Sequence, residues 1–189
     1  MLRLTGGVFR GRMIETPKSH KTRPTSSMLR QALFNSLQTL ISEAKVVDLF
    51  AGSGALGFEA LSRGAAHVHF IENNKAALAS LKKNVQSLDV RGSVQVIDAR
   101  VEDSVKELIL SGPFDLVLAD PPYAGGFELP LIHEWPWNQL LTPGGRFCLE
   151  WGPLKSGTHS LPDQTEFLVK VREKNYGDSR LTTYERVSE

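Results

Sequence analysis

The chain has 189 residues, of which 41% are hydrophobic and 23% charged; this composition is typical of a globular protein and excludes a disordered tail, a collagen-like repeat and a disulfide scaffold. The net charge of +1 hides an uneven distribution, because residues 1–30 carry seven basic side chains and a single acid, Glu15. A basic segment joined to a mildly acidic remainder indicates a polyanionic partner. With one cysteine, Cys148, the chain cannot form an intrachain disulfide.

The N-terminal elements come first in chain order. Residues 2–16 place two short apolar pieces around a bend rich in Gly and Arg, which predicts a small hairpin. A polar loop follows between Pro17 and Pro24, and a helix with apolar positions from Leu29 to Leu40 comes next. We therefore assign residues 1–44 to a basic extension made of a hairpin and a helix.

From residue 45 the pattern changes to apolar strands that alternate with amphipathic helices. The predicted strands are 46–50, 67–71, 94–98, 114–119 and 146–151, and the predicted helices are 55–62, 74–88, 101–110 and about 129–140. This alternation predicts an α/β, Rossmann-like fold with a mostly parallel sheet covered on both faces. Two closing strands at 167–171 and 182–187 have no helix between them and predict a terminal antiparallel pair. We assign residues 45–189 to one such domain.

A glycine-rich loop follows the first strand of this domain. Residues 52–57 read Gly-Ser-Gly-Ala-Leu-Gly, which lets the backbone turn sharply into a helix and approach a ligand closely. Glu72, at the end of the next strand, can accept both hydroxyls of a ribose. Asp98 and the backbone of Ala99 can read the edge of an adenine. Together these features predict an adenosine site at the carboxyl ends of three strands.

Two kinds of cofactor contain this adenosine, a nicotinamide dinucleotide and S-adenosylmethionine. Asp48, just before the loop, would oppose a pyrophosphate at the helix N-terminus but suits the ammonium group of a methionine tail. It therefore favours S-adenosylmethionine. The alternative is that Asp48 caps local backbone and that the glycines only pack a helix on a strand.

The fourth strand runs directly into Asp120-Pro121-Pro122-Tyr123. The two prolines remove two backbone donors and leave carbonyl acceptors, to which Asp120 adds a carboxylate. Such a pocket suits an exocyclic amine, which brings two N–H donors, and the Tyr123 ring offers a surface on which a flat base can stack. Hydrogen bonds from the amine would orient its lone pair towards a methyl donor and stabilise the positive charge that develops on nitrogen. A sulfonium is already reactive, so this chemistry needs no metal.

The chain resembles the bacterial small-subunit (16S) ribosomal RNA guanine-N2 methyltransferase family, S-adenosylmethionine-dependent enzymes with a Rossmann-like class I fold. The resemblance covers nearly the whole chain and rests on residues 7–12, 22–25, 32–35, 48–57, 120–123 and 176–178. It implies methyl transfer to N2 of a guanine in small-subunit ribosomal RNA. Asn73 departs from the family, in which an acidic residue is common at this position.

The resemblance also implies roles for individual residues. Cofactor binding falls to Thr25, Asp48, Phe50, Ala51, Gly52, Ser53, Gly54, Glu72, Asn73, Asp98 and Ala99. The target amine would be held by Asp120, Pro121, Pro122 and Tyr123.

The basic extension supplies the predicted RNA contacts. They are Arg10, Arg12, Lys21, Arg23 and Arg30. Contacts to phosphates give position and salt-dependent affinity rather than sequence choice; the alternative is a solvated basic surface. We expect the partner to be ribosomal RNA, within an assembling small subunit, and we expect a cytoplasmic monomer that needs neither a metal nor a membrane.

Other functions fit part of the pattern. A DNA adenine-N6 or cytosine-N4 methyltransferase would use the same four residues at 120–123, but the short chain shows no separate DNA-recognition domain. A non-catalytic RNA-binding protein could retain the fold, although the intact glycine loop and Asp-Pro-Pro-Tyr segment argue against it. A protein-glutamine methyltransferase would carry Asn in place of Asp120. A dinucleotide oxidoreductase would leave Asp48 and the residues at 120–123 unexplained.

Overall fold

The computed structural model describes residues 1–17, 24–122, 125–152 and 160–187. In chain order the elements are β1 (Leu2–Arg3), β2 (Met13–Ile14), α1 (Pro24–Ser36), β3 (Lys45–Leu49), α2 (Ala55–Ser62), β4 (His67–Glu72), α3 (Lys75–Leu88), β5 (Val94–Asp98), α4 (Val105–Ser111), β6 (Phe114–Ala119), α5 (Glu128–Glu134), α6 (Trp137–Leu140), β7 (Leu141–Trp151), β8 (Leu168–Tyr176) and β9 (Ser179–Arg186). Short 3₁₀ turns lie at Arg91–Ser93 and Glu102–Ser104.

One seven-stranded sheet organises the fold, in the order β5-β4-β3-β6-β7-β9-β8. The strands from β5 to β7 run parallel, and the last two pair antiparallel, as the sequence predicts. The chain moves outward from β3 to β4 and β5 and then returns to β6 on the other side of β3. The strand order therefore reverses beside β3, and in open α/β sheets the crevice at that reversal is where ligands bind.

Two hydrophobic clusters cover the two faces of this sheet. On β3, Val46 belongs to one cluster, whereas Val47 and Leu49 belong to the other, because successive strand residues point to opposite faces. The first cluster also contains Leu4 of the hairpin region and Phe34 of α1. Hydrophobic packing is therefore continuous across residue 44, and the division into 1–44 and 45–189 stays a prediction.

Several predicted elements differ from the structure at their ends. The helix predicted over 129–140 is two helices, α5 and α6, separated at Trp135 and Pro136, because a proline lacks the donor that an uninterrupted helix needs and restricts the residue before it. The strand predicted to begin at 146 begins at Leu141, and both closing strands are longer than predicted. The hairpin at the N-terminus is confirmed.

A buried ionic network joins the N-terminal segment to α2. Glu59, which is 0% exposed, accepts hydrogen bonds from the backbone N–H and the hydroxyl of Thr5 at 2.9 and 2.7 Å. It also pairs with Arg63 at 2.9 Å and with Arg30 at 3.4 Å, and Arg30 donates to the carbonyl of Arg3 at 2.8 Å. Burial alone would raise the pKa of Glu59, but the hydrogen bonds from Thr5 and the two guanidinium groups outweigh burial and lower it.

The network gives Arg30 a structural role that the sequence does not indicate. Arg30 is predicted as an RNA contact, but it is only 3% exposed and its guanidinium serves the buried carboxylate of Glu59. A cation in this position compensates a charge inside the protein, and Arg30 also lines the cleft described below, so its contact with RNA stays a prediction.

Removing the carboxylate should destabilise the fold strongly. We expect Glu59→Ala to lower the free energy of unfolding by about 3–5 kcal/mol, because two guanidinium groups would lose their buried partner. Lys83→Ala is the matched control; Lys83 pairs with Glu15 at 3.1 Å but is 66% exposed, so its loss should be about 1 kcal/mol or less. Urea unfolding measures both variants. Equal, small losses would show that the network contributes little.

Candidate active site

The loop between β3 and α2 has a backbone that few side chains permit. Phe50, Gly52 and Gly54 have φ values of 60°, 56° and 86°. A Cβ on Gly54 would lie 2.4 Å from the ring of Phe58 and 2.6 Å from Leu81, so only glycine fits there. Phe50 is not a glycine, and a left-handed conformation at such a residue costs of order 1–3 kcal/mol and is typical of functional sites. Its ring packs on Phe127, with centroids 4.9 Å apart.

Glu72 fixes the outer side of this loop. Its Oε2 accepts the N–H of Gly52 at 2.7 Å, and its Oε1 accepts the N–H groups of Asn73 and Asn74 at 2.9 and 2.7 Å. One carboxylate thus joins the loops that follow β3 and β4. A carboxylate offers about four acceptor sites, so Glu72 keeps acceptor capacity towards the cleft, where it is half-buried.

Asp48 lies beneath the loop. It is 1% exposed, and its Oδ2 accepts the N–H of Gly57 at 2.8 Å in the first turns of α2. Burial, together with the nearby charge of Glu72, raises the pKa of Asp48 to about 7 against the opposing hydrogen bond from Gly57. The contact that the structure contains is therefore with the backbone of α2. The predicted contact with a cofactor ammonium group stays a prediction.

Asn84 of α3 fixes the inner side of the loop. It is 1% exposed; its Nδ2 donates to the carbonyls of Ser53 and Glu15 at 3.0 and 2.9 Å, and its Oδ1 accepts the N–H of Glu15 at 2.7 Å. The side chain therefore connects the glycine loop to the segment just after β2. Sequence reasoning missed this residue, and a polar side chain among the apolar positions of α3 was the available signal.

These loops open into one cleft of about 800 Å³. The predicted site residues on its wall are Arg30, Phe50, Ala51, Gly52, Ser53, Glu72, Asn73, Ala99, Asp120, Pro121 and Pro122. Gly54 and Asp48 are buried behind the wall, and Asp98 is exposed at the end of β5 without forming part of it. The topology therefore brings the ends of β3, β4, β5 and β6 to one place.

The remaining predicted residues lie away from the cleft wall or outside the described part of the chain. Tyr123, Lys21 and Arg23 lie outside the described residues, and Thr25 belongs to α1 with a side chain outside the described part. Arg10 and Arg12 are exposed in the bend between β1 and β2.

Asp120 follows directly on the last residue of β6 and is open to the cleft. The carbonyl of Pro122 accepts the N–H of Gly125 at 2.8 Å and closes a tight turn, so this acceptor is already engaged by the backbone. Loss of solvation inside the cleft, the charge of Glu150 and that of Asp48 all raise the pKa of Asp120 well above its usual value.

Glu150 and Phe127 also line the cleft, but the sequence assigned them no chemistry. Glu150 is near the carboxyl end of β7, next to β6, and position at the end of a parallel strand was the signal that could have found it. Phe127 lies just beyond the 120–123 segment, and nothing in the sequence indicates its contact with Phe50.

The reversal of strand order beside β3, with a loop from each neighbouring strand end facing one cleft, defines the chain as a protein of the Rossmann-like fold. The chain belongs to the family described as "Conserved hypothetical protein 95", whose model matches residues 2–185.

Three known proteins show how the chain relates to others. It is 40% identical over 186 residues to "Ribosomal RNA small subunit methyltransferase D" of Escherichia coli strain K12, covering 98% of this chain and 90% of that protein. The solved structure of yhhF from Escherichia coli matches with a TM-score of 0.84 and 33% identity, over 100% of this chain and 99% of that one. The 16S rRNA N2 G1207 methyltransferase RsmC of T. thermophilus, solved with AdoMet and guanosine, has a TM-score of 0.61 at 22% identity, covering 89% of this chain and 44% of that one. The last similarity concerns the fold alone.

Membrane-spanning helices and metal sites are both absent from the described residues. Among them, no helix has both the length and the apolar character that crossing a bilayer requires. The same part of the chain contains no group of three or more His, Cys, Asp or Glu placed to hold a metal ion.

The buried carboxyl of Asp48 should make stability depend on pH. Its folded-state pKa of about 7 lies above the ordinary value of 3.8, so it contributes stability that is complete below about pH 4 and is lost as the pH rises to about 7. Asp48→Asn keeps an acceptor for the N–H of Gly57 but does not titrate. We expect the wild-type free energy of unfolding, minus that of the variant, to fall by up to about 4 kcal/mol over this range. Urea unfolding at several pH values measures the difference; two parallel curves would contradict it.

Proposed function

We propose that the protein transfers a methyl group from S-adenosylmethionine to the exocyclic N2 of a guanine in small-subunit ribosomal RNA. The observation that carries the proposal is the position of Asp120 and the two prolines, which form an acceptor-rich wall of the same cleft that the glycine loop and Glu72 line. The curated relative from Escherichia coli, 40% identical, is named for methylation of small-subunit ribosomal RNA and supports the same substrate.

The cleft fits the cofactor. Glu72 presents a carboxylate whose remaining acceptor site can bind a ribose hydroxyl, and Ile71 and Val101 provide apolar surface beside Ala99 for a flat adenine ring. Residues 50–57 contain no Lys or Arg, so this loop offers no cation to a pyrophosphate. When bound, S-adenosylmethionine supplies an electrophilic methyl group on a positively charged sulfur.

The residues at the end of β6 prepare the amine. The carboxylate of Asp120 accepts one N–H of the amine, and we assign the second N–H to the carbonyl of Pro121, since the carbonyl of Pro122 is engaged by Gly125. These bonds hold the nitrogen lone pair in line with the methyl group. As the N–C bond forms and the S–C bond breaks, positive charge appears on the nitrogen, and Asp120 stabilises it and can take the released proton.

The exposed bend of the hairpin carries the proposed RNA contacts. Arg10 and Arg12 are both exposed, and Arg12 donates to the carbonyl of Ser87 at 2.8 Å, which holds it near the C-terminal end of α3. Lys21 and Arg23 extend the proposed set along the chain. The proposal further includes an assembling small subunit as the natural substrate, a monomeric enzyme and action in the cytoplasm.

Asp120 should be required for transfer but not for cofactor binding. We expect Asp120→Ala to reduce methyl transfer by about 10²-fold or more, because the amine loses its charged acceptor, while the Kd for S-adenosylhomocysteine stays nearly unchanged. Cells that lack the protein and are complemented with wild type or variant supply the test, by mass-spectrometric mapping of N2-methylguanosine in small-subunit ribosomal RNA. Glu134→Gln, an exposed residue at the end of α5, is the control and should restore the modification. Full modification with Asp120→Ala, or methylation of DNA instead of RNA, would refute the proposal.

The two hairpin arginines should act through charge. We expect Arg10→Ala with Arg12→Ala to weaken RNA binding with cofactor affinity unchanged. The slope of log K against log salt should decrease by about one for each phosphate that the variant no longer neutralises. Lys106→Ala, on exposed α4, is the matched control and should leave the slope as it is. Fluorescence anisotropy at several salt concentrations measures the slope, and an unchanged slope in the double variant would exclude the hairpin from the RNA interface.

A further inference from the structure

Glu150 stands beside the residue that we assign to the target amine. Strands β6 and β7 pair in parallel, with Ala119 opposite Leu149, so Asp120 and Glu150 come next on neighbouring strands. Paired strands lie about 4.8 Å apart, which brings the two residues to adjacent positions. Both line the same cleft. After the loss of solvation, the charge of Glu150 is the largest contribution that raises the pKa of Asp120, as expected for two carboxylates that face a common space.

Two adjacent carboxylates match only one of the bases that carry an exocyclic amine. Guanine has a ring N–H at N1 directly beside its N2 amine, so it presents donors to both carboxylates. Adenine and cytosine have an unprotonated ring nitrogen beside their amine. Its lone pair would face the second carboxylate, and a polar group left unpaired or opposed in a partly enclosed site is costly.

We propose that Glu150 is a specificity-determining residue, which selects guanine by accepting a hydrogen bond from N1–H while Asp120 holds the N2 amine. This inference rests on the proposed function, because it assumes that the cleft receives a base for methylation. It assigns the two carboxylates different tasks. Asp120 accepts a hydrogen bond from the exocyclic amine, which guanine, adenine and cytosine all carry. Glu150 accepts one from the ring N–H beside that amine, which only guanine has.

The assignment can be tested with a base that differs from guanine at N1. 2-Aminopurine keeps the N2 amine but has a lone pair at N1, and it also lacks the O6 oxygen. We would place guanine or 2-aminopurine at the mapped position of a small-subunit RNA fragment and measure kcat/KM for methyl transfer with the full-length protein. We expect the wild type to prefer guanine by about 10²-fold, since sites built to bond a substrate N–H reject analogues that lack it.

The variant Glu150→Gln should reduce this preference to less than about tenfold, because its amide can donate to N1 of 2-aminopurine. 2-Aminopurine lacks O6 for the wild type and for the variant alike, so the change in preference between the two enzymes isolates the effect of position 150. Glu150→Ala, which removes the charge without adding a donor, is the second variant and should also reduce the preference. The Kd for S-adenosylhomocysteine confirms that each variant is folded.

Two controls separate selection from general damage. Glu134→Gln should keep the wild-type preference, and Asp120→Asn should slow transfer to both bases while leaving the preference nearly as it was. If Glu150→Gln and Glu150→Ala slow both bases in equal proportion, the assignment of Glu150 is overturned although the protein remains a methyltransferase. If the wild type forms no N2-methylguanosine, the proposed function itself fails and the assignment fails with it.

Discussion

The shape of the cleft depends on the hydrogen bonds that a single carboxylate, that of Glu72, accepts from the backbone. It accepts N–H groups from Gly52, Asn73 and Asn74, so the loops after β3 and β4 are held to each other by charge-assisted hydrogen bonds. The loop after β3 contains Phe50 in the left-handed conformation, and without these hydrogen bonds its backbone could relax to another conformation. Because these contacts are made by the protein itself, the loop is already shaped before a ligand enters, and little ordering remains to be done on binding.

The strands could be predicted because burial on both faces leaves a continuous apolar run, as in residues 46–50 and 114–119. The start of β7 could not be predicted from the sequence, because Pro143, Gly144 and Gly145 are typical of a turn. In the structure these residues lie in a strand whose pairing with β6 shifts register between Phe114 and Leu116, and that irregularity accommodates them. At these residues, pairing with β6 determines the conformation despite their preference for a turn.

The sequence predicts the position of those site residues that the topology alone places. It does not predict the contacts of side chains that are buried. Loops after parallel strands must meet at one edge, so Glu72 and Asp120 could be placed together from the sequence. Asp48 is one residue before the end of β3 and faces inward to the backbone of α2; the sequence offers this contact only as an alternative to one with the cofactor, because the pattern does not show which way the side chain points. The structural role of Arg30 was missed for a related reason: its charge is visible in the sequence, but its partner Glu59 is 29 residues away on another helix. Asn84 illustrates the same limit, since its contacts join three separate segments.

The buried Glu59 network also limits how this protein can be rebuilt. The hairpin that carries the proposed RNA contacts and the helix that follows the glycine loop are joined by one buried network, in which Glu59 accepts hydrogen bonds from Thr5 and pairs with Arg30. The first 44 residues therefore cannot be exchanged for another RNA-binding segment without replacing the buried contacts that Glu59 of α2 makes with them. Changes to the proposed RNA contacts that preserve the catalytic framework are best placed at the exposed Arg10 and Arg12, where substitutions leave those internal charges in place.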